Sequence, residues 1–399
     1  MHGDLSLVGQ QSPARIGVSW LAKGFRPFFF GAATHAVLSI PAWIAVLSGV
    51  PRITPTLTLG WHAHEMVFGF AGAVIAGFLL TAVSNWTNRP TLEGAWLAAL
   101  FATWLGARLV PWLPGVSGVV ALVLDVAFWA GLALACARPI LAVRSTRNLG
   151  FIALLLGFLV ACTISHASRL GFPLAAVGPG HLLGLDLVVV AILVMTGRVV
   201  PMFTRNATRV ASIAGQPALD RAAVAGMVLL TLLDLAQGPA WIQAVVAALV
   251  GALALLRARR WGAQHTRGNA LLWPLHLGNA WIGLGLILRA VSALVPAVPP
   301  SVALHAITVG GIGLLCFSMM TRVTLGHTGR MLAVPRLMVW AAHALSLAVV
   351  VRVLGPLLAP SVLLVTLALS ALLWSLAFAS YLFVYAPALL SPRVDGKAG

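Results

Sequence analysis

Across 399 residues this chain is 60 % hydrophobic and only 8 % charged, a balance that excludes an ordinary water-soluble globular domain. Its formal net charge of +17 at neutral pH would suit a nucleic-acid ligand. The basic residues, however, fall in short loops between long apolar runs, which assigns them to an anionic lipid surface and excludes nucleic acid.

In chain order, the first 26 residues carry no apolar h-region, so they read as a cytoplasmic N-terminal segment and not as a cleaved signal peptide. Twelve apolar runs follow, each long enough to cross a hydrocarbon core about 30 Å thick. They span 28–48, 60–83, 94–111, 116–142, 149–170, 181–200, 218–236, 240–257, 269–292, 301–322, 333–354 and 361–385. The expected fold is therefore all-α: one twelve-helix transmembrane domain over 27–386, with a cytoplasmic tail over 387–399. With the N-terminus inside, the outer segments hold only Arg52, Arg108, Arg169, Arg289 and Arg352 of the 25 Lys and Arg. That asymmetry predicts a multi-pass protein with both termini in the cytoplasm. Cys136, Cys162 and Cys316 fall in three different runs with no Cys-x-x-Cys, so neither a disulfide framework nor a thiolate zinc site follows. Cys162 sits four residues before His166 on one helix face and reads as a small packing residue.

The second run opens with "GWHAHEMVFGF", which places His62, His64 and Glu65 at its mouth. Ionisable groups in a membrane segment are costly and mark function by default, although an interfacial cap is the simpler reading. An offset of 241 residues aligns 26–89 with 267–330 without a gap, matching 10 of 64 positions. Its weight lies in scarce residues: His35 meets His276, His64 meets His305, Arg26 meets Arg267 and Arg89 meets Arg330. We read this as the remnant of a duplication relating helices 1–2 to helices 9–10. A decayed middle copy over helices 5–6 would make three units of four helices.

On this topology His62, His64, His166, His181 and His305 lie near the outer face, whereas His35, His276 and His343 lie deeper toward the inner one. Five imidazoles near one face argue for a metal or haem site. Residues i and i+2 on a helix point about 200° apart, so His62 and His64 serve different sites if both are helical. His64 and His305 are each followed at +5 and +8 by glycine, which admits either close helix packing or a flat macrocycle. Matched in the repeat, they are the expected axial pair of one haem. Arg108 is then the expected propionate partner, and His62 and His166 are left for a second metal (copper, iron or zinc) with Glu65 orienting a ring or accepting a proton. Asp125 and Asp186 are further proton carriers, or pair with a neighbouring Arg or Ser.

The segments "GFRPFFF", "WHAHEMVFGFAGAVIAGFLLTAVSNWTNR", "WLGAR", "GRVVPMFTRN", "LHLGNAW" and "LHAITVGGIGLLCFSMMTRVTLGHTGR" resemble the NnrS family over nearly the whole chain. The resemblance implies a haem- and copper-containing bacterial inner-membrane protein of the nitric oxide response, with haem b and copper as cofactors. Its motif histidines correspond to His62, His64, His166, His276, His305 and His327; the segment around His166 departs from the expected form, which has asparagine where Cys162 stands. The helix count and the histidines on helices 2, 6 and 10 also resemble the large subunit of haem–copper oxidases, although helix 7 has no histidine. Two activities follow as expectations: reducing nitric oxide with electrons from quinol or a periplasmic donor, or binding it. A twelve-helix secondary transporter for a metal ion or small anion is the alternative, and a haem-based sensor without turnover is a third class.

Overall fold

The computed structural model describes residues 19–50, 56–172 and 179–397. Among them, twelve long helices stand where the apolar runs predict: α1 (Phe25–Leu47), α2 (Leu59–Thr87), α3 (Gly94–Trp112), α4 (Gly118–Ala142), α5 (Thr146–Leu170), α6 (Gly180–Thr208), α7 (Pro217–Leu235), α8 (Ala240–Ala258), α9 (Trp273–Leu294), α10 (Pro300–His327), α11 (Arg336–Leu358) and α12 (Pro360–Leu390). Eleven are long and apolar enough to cross a membrane. The exception is α7, which carries Asp220, Arg221 and Asp234. Both of its carboxylates meet arginines, Asp220 with Arg257 at 3.2 Å and Asp234 with Arg289 at 2.6 Å. Pairing of this kind lowers the cost of charge inside a bundle.

Helices adjacent in sequence pack against one another, and α12 returns to α1 to close a ring. The contacts at α8–α9, α11–α12 and α12–α1 are the most extensive. Within the ring, α2 and α10 are the most enclosed, with 78 % and 67 % of their spanning windows buried. These two helices bear the repeat.

Both central helices contain a wide π-helical segment, Glu65–Ala71 in α2 and Ala306–Gly313 in α10. The segments begin one residue after His64 and His305, at positions the 241-residue offset superimposes. At the far ends, Asn88 and Gly329 also correspond, and both adopt left-handed backbone (φ 49° and 75°). A π segment leaves carbonyls out of the regular ladder. The Trp104 indole N–H takes the Gly69 carbonyl at 3.1 Å. Side chains, and not a macrocycle, fill the space beside the repeat glycines: Gly72 faces Trp129, Gly310 faces Trp281 and Gly313 faces Trp374.

Candidate metal centre and histidine cavity

Helix α2 is capped by Thr58, whose side chain accepts the Trp61 backbone N–H at 3.2 Å. His62 and His64 are both helical, so their rings leave opposite sides of α2, as the i, i+2 geometry requires. The two sides hold two different sites.

On the first side, His64 is fully buried among α3, α4 and α5. Its Nε2 lies 3.0 Å from Asp125 Oδ2 and its Nδ1 3.0 Å from Ser165 Oγ. His166 Nε2 reaches the same carboxylate oxygen at 2.8 Å, and the two rings stand 4.4 Å apart in an edge-on arrangement. Arg108 donates from Nη2 to both oxygens of Asp125, at 2.6 and 2.5 Å. Its Nη1 lies 3.1 Å from Glu65 Oε2, which is 3.2 Å from His35 Nε2. Two carboxylates and one guanidinium leave a formal excess of one negative charge in a wholly buried cluster, which a cation would offset. His64, Asp125, Cys162 and His166 each present one donor atom, all within 4.8 Å of one another. Nitrogen, sulfur and oxygen donors at that spacing suit a first-row transition metal.

On the second side, His62 stacks on Trp43 (centroids 5.0 Å apart, planes 7° apart) and faces a cavity of about 880 Å³. His305 and Arg352 line the same cavity, as do Asp186, Asp234 and Arg289 on another wall. His305 Nδ1 lies 2.7 Å from the Ser301 carbonyl, which can only accept, so that nitrogen donates. Arg352 Nη2 donates to His305 Nε2 at 3.1 Å. The ring is therefore the neutral Nδ1–H tautomer with its ligating lone pair on Nε2, facing Arg352. His62 Nδ1 and Arg352 Nη1 are buried without hydrogen-bond partners. A large apolar-walled space with a few unsatisfied polar atoms is the usual form of a cofactor pocket. The residues fit a haem, with an imidazole nitrogen free on His62 and the Arg352 Nη1 available to a carboxylate group, whereas Arg289 is already held by Asp234 and Asp186.

The geometry redraws the expected pairing. His64 does not join His305: it stands against His166, and His305 lines the same cavity as His62. Arg108 holds Asp125 and Glu65 and does not line the cavity, so it is not placed to meet a propionate there. His276 lies apart from both groups, 2.9 Å from Thr204 Oγ1 and edge-on to Trp261. Since Thr204 donates to the Val200 carbonyl, His276 Nε2 donates to Thr204 and acts as a hydrogen-bonding residue. His327 lies beside Phe25 at the end of α10, with its carbonyl taking Arg393 Nη1 at 2.9 Å. Among the described residues, neither belongs to a group of three or more metal donors. Sequence reasoning did not single out Asp125 as the hub, Cys162 as a donor, or Trp43 and Arg352 as cavity residues. Only the scarcity of carboxylates pointed to Asp125.

The fold and the site together define a polytopic helical membrane protein with a buried donor set able to hold a metal ion. Residues 19–393 match the family described as NnrS protein. The chain belongs to the NnrS family. A comparison with curated proteins finds no match.

Proposed function

We propose that this is a haem- and copper-binding protein of the bacterial inner membrane, with both termini cytoplasmic, that acts on nitric oxide. The observation that carries the reading is the division of labour between neighbouring residues of α2: His62 faces a cofactor-sized cavity while His64 enters a four-donor metal group. Copper would be held by His64, His166 and Asp125, and haem b by His305 and His62 with Arg352 on a carboxylate. A metal there supplies a binding site for a diatomic ligand and a one-electron couple.

The chain's own part is to hold the His305 imidazole in one tautomer, to exclude water with Trp43, Phe70 and Trp374, and to keep charge beside the centre through Arg108 and Glu65. Reduction of two nitric oxide molecules to nitrous oxide and water takes two electrons and two protons. Quinol or a periplasmic protein would donate the electrons, and the His35–Glu65–Arg108 row stands beside the metal group as a polar path. Reversible binding of nitric oxide needs none of these.

The test is the visible spectrum and metal content of the purified protein, before and after nitric oxide is added. A haem spectrum shifted by the gas, with copper in stoichiometric amount, supports the reading. Colourless, copper-free protein rejects it in favour of the transporter alternative.

A further inference from the structure

We propose that Cys162 is a thiolate ligand of the ion at His64, His166 and Asp125, making the centre one of two nitrogens, one sulfur and one oxygen. The inference rests on the metal-centre half of the proposed function and changes its chemistry. Thiolate selects copper or zinc over magnesium, calcium and manganese, whereas imidazole and carboxylate alone discriminate less.

Three observations carry it. Cys162 and His166 are one helical turn apart on α5, so sulfur and imidazole project from one face. The sulfur lies within 4.8 Å of both imidazole donors and the carboxylate, in a group that is buried throughout. The indole of Trp129, held by stacking on Phe158 at 4.7 Å, stands against Cys162 with its N–H lacking an aligned partner. A thiolate would give that N–H an acceptor, in the manner of the outer contacts that tune metal-bound sulfur. Charge points the same way. Asp125, Glu65 and Arg108 leave one formal negative charge, a thiolate adds a second, and a divalent ion neutralises both. As the metal–sulfur bond forms, the S–H bond breaks and its proton leaves to bulk water.

Cobalt(II) titrated into metal-free protein in detergent reads the ligand directly, because a cobalt–thiolate bond adds an intense near-ultraviolet charge-transfer band to the visible d–d bands. The native chain is expected to show both. Cys162→Ser and Cys162→Asn should lose the near-ultraviolet band and keep the visible ones. The double variant Cys136→Ala/Cys316→Ala, with Cys162 as its one remaining thiol, should keep both, which decides the matter even where a Cys162 variant fails to assemble. Visible bands without a near-ultraviolet band in the native chain would overturn the thiolate while leaving the metal centre standing. Retention of the near-ultraviolet band in Cys162→Ser, or its loss in the double variant, would also overturn it. No cobalt spectrum at all would overturn the metal centre and the thiolate together.

Discussion

Arg108 and Asp125, seventeen residues apart on antiparallel helices, form a forked ion pair close to the α3–α4 connection with both side chains buried. Arg108 also faces Glu65, so removing the guanidinium strands two carboxylates at once. Arg108→Ala should therefore destabilise the protein by about 3–5 kcal/mol, the usual cost of an uncompensated buried charge. Adding Asp125→Asn should recover part of that loss. Thermal unfolding in detergent of the single and double variants measures both effects; an unchanged midpoint in Arg108→Ala would count against the pair.

The two faces of α2 give separable losses. His62→Ala and His305→Ala are expected to lose haem and keep copper, and His64→Ala and His166→Ala to lose copper and keep haem. Haem extraction and metal analysis on the four variants check this. Loss of haem in His64→Ala with retention in His62→Ala would restore the pairing that the repeat alone suggests.

Gly69 stands where the π segment meets the charged row. A Cβ there would fall 2.8 Å from Glu65 Oε2 and His35 Nε2 and 2.9 Å from Arg108 Nη1. Gly69→Ala should cost about 1–3 kcal/mol by overpacking and lower the copper content with it. Gly150→Ala, which meets nothing within 4 Å, is the control and should change neither.

The C-terminal tail is clipped to the end of α10. Arg393 donates to the His327 carbonyl, and the Val394 N–H to the Thr328 carbonyl at 3.2 Å. Arg393 also holds Asp395, whose carboxyl is lowered to about 2 by that contact. Because the value falls on folding, the contribution is complete above the ordinary carboxylate range and is lost only as pH drops through about 2. The tail should thus stay protected from hydrogen exchange across neutral and mildly acidic pH, after correction for intrinsic rates. Gly329→Ala should abolish that protection, since it puts a side chain on left-handed backbone (φ 75°) and 2.7 Å from the Asp395 carboxyl carbon. Protection that survives the substitution would dismiss the clip.

Orientation is testable apart from the metals. Reporter fusions at Gly399 should be active only for cytoplasmic reporters; activity of a periplasmic reporter there would invert the assignment.

The sequence located all twelve helices because apolar runs of membrane length are a one-dimensional signal. It also separated His62 from His64, since that needs only helical periodicity. It could not say which way each helix turns. These helices are apolar nearly all round, so no polar stripe marks the buried face of α4 and brings Asp125 to Arg108. The exchange of partners between His64 and His305 had a second cause. Repeat equivalence places the two residues at matched positions, but the neighbours differ: Ser165, Asp125 and His166 surround one, Ser301 and Arg352 the other. Cys162 read as a packing residue because its partners lie on other helices or one turn away.

The wide turns after His64 and His305 each accommodate one residue more than a regular helix of the same rise would hold. Re-forming either segment as ordinary α-helix with every residue kept would lengthen it by about 1.5 Å and swing its histidine-bearing end by about 100° around the axis, whereas deleting a single residue would restore the regular ladder with both ends in place. The buried half of α2 is fixed by Trp129 against Gly72 and that of α10 by Trp374 against Gly313, so all of the swing would fall on the imidazoles. The wide turn itself, and not the residue count of the span, therefore decides whether α2 points His64 at Asp125.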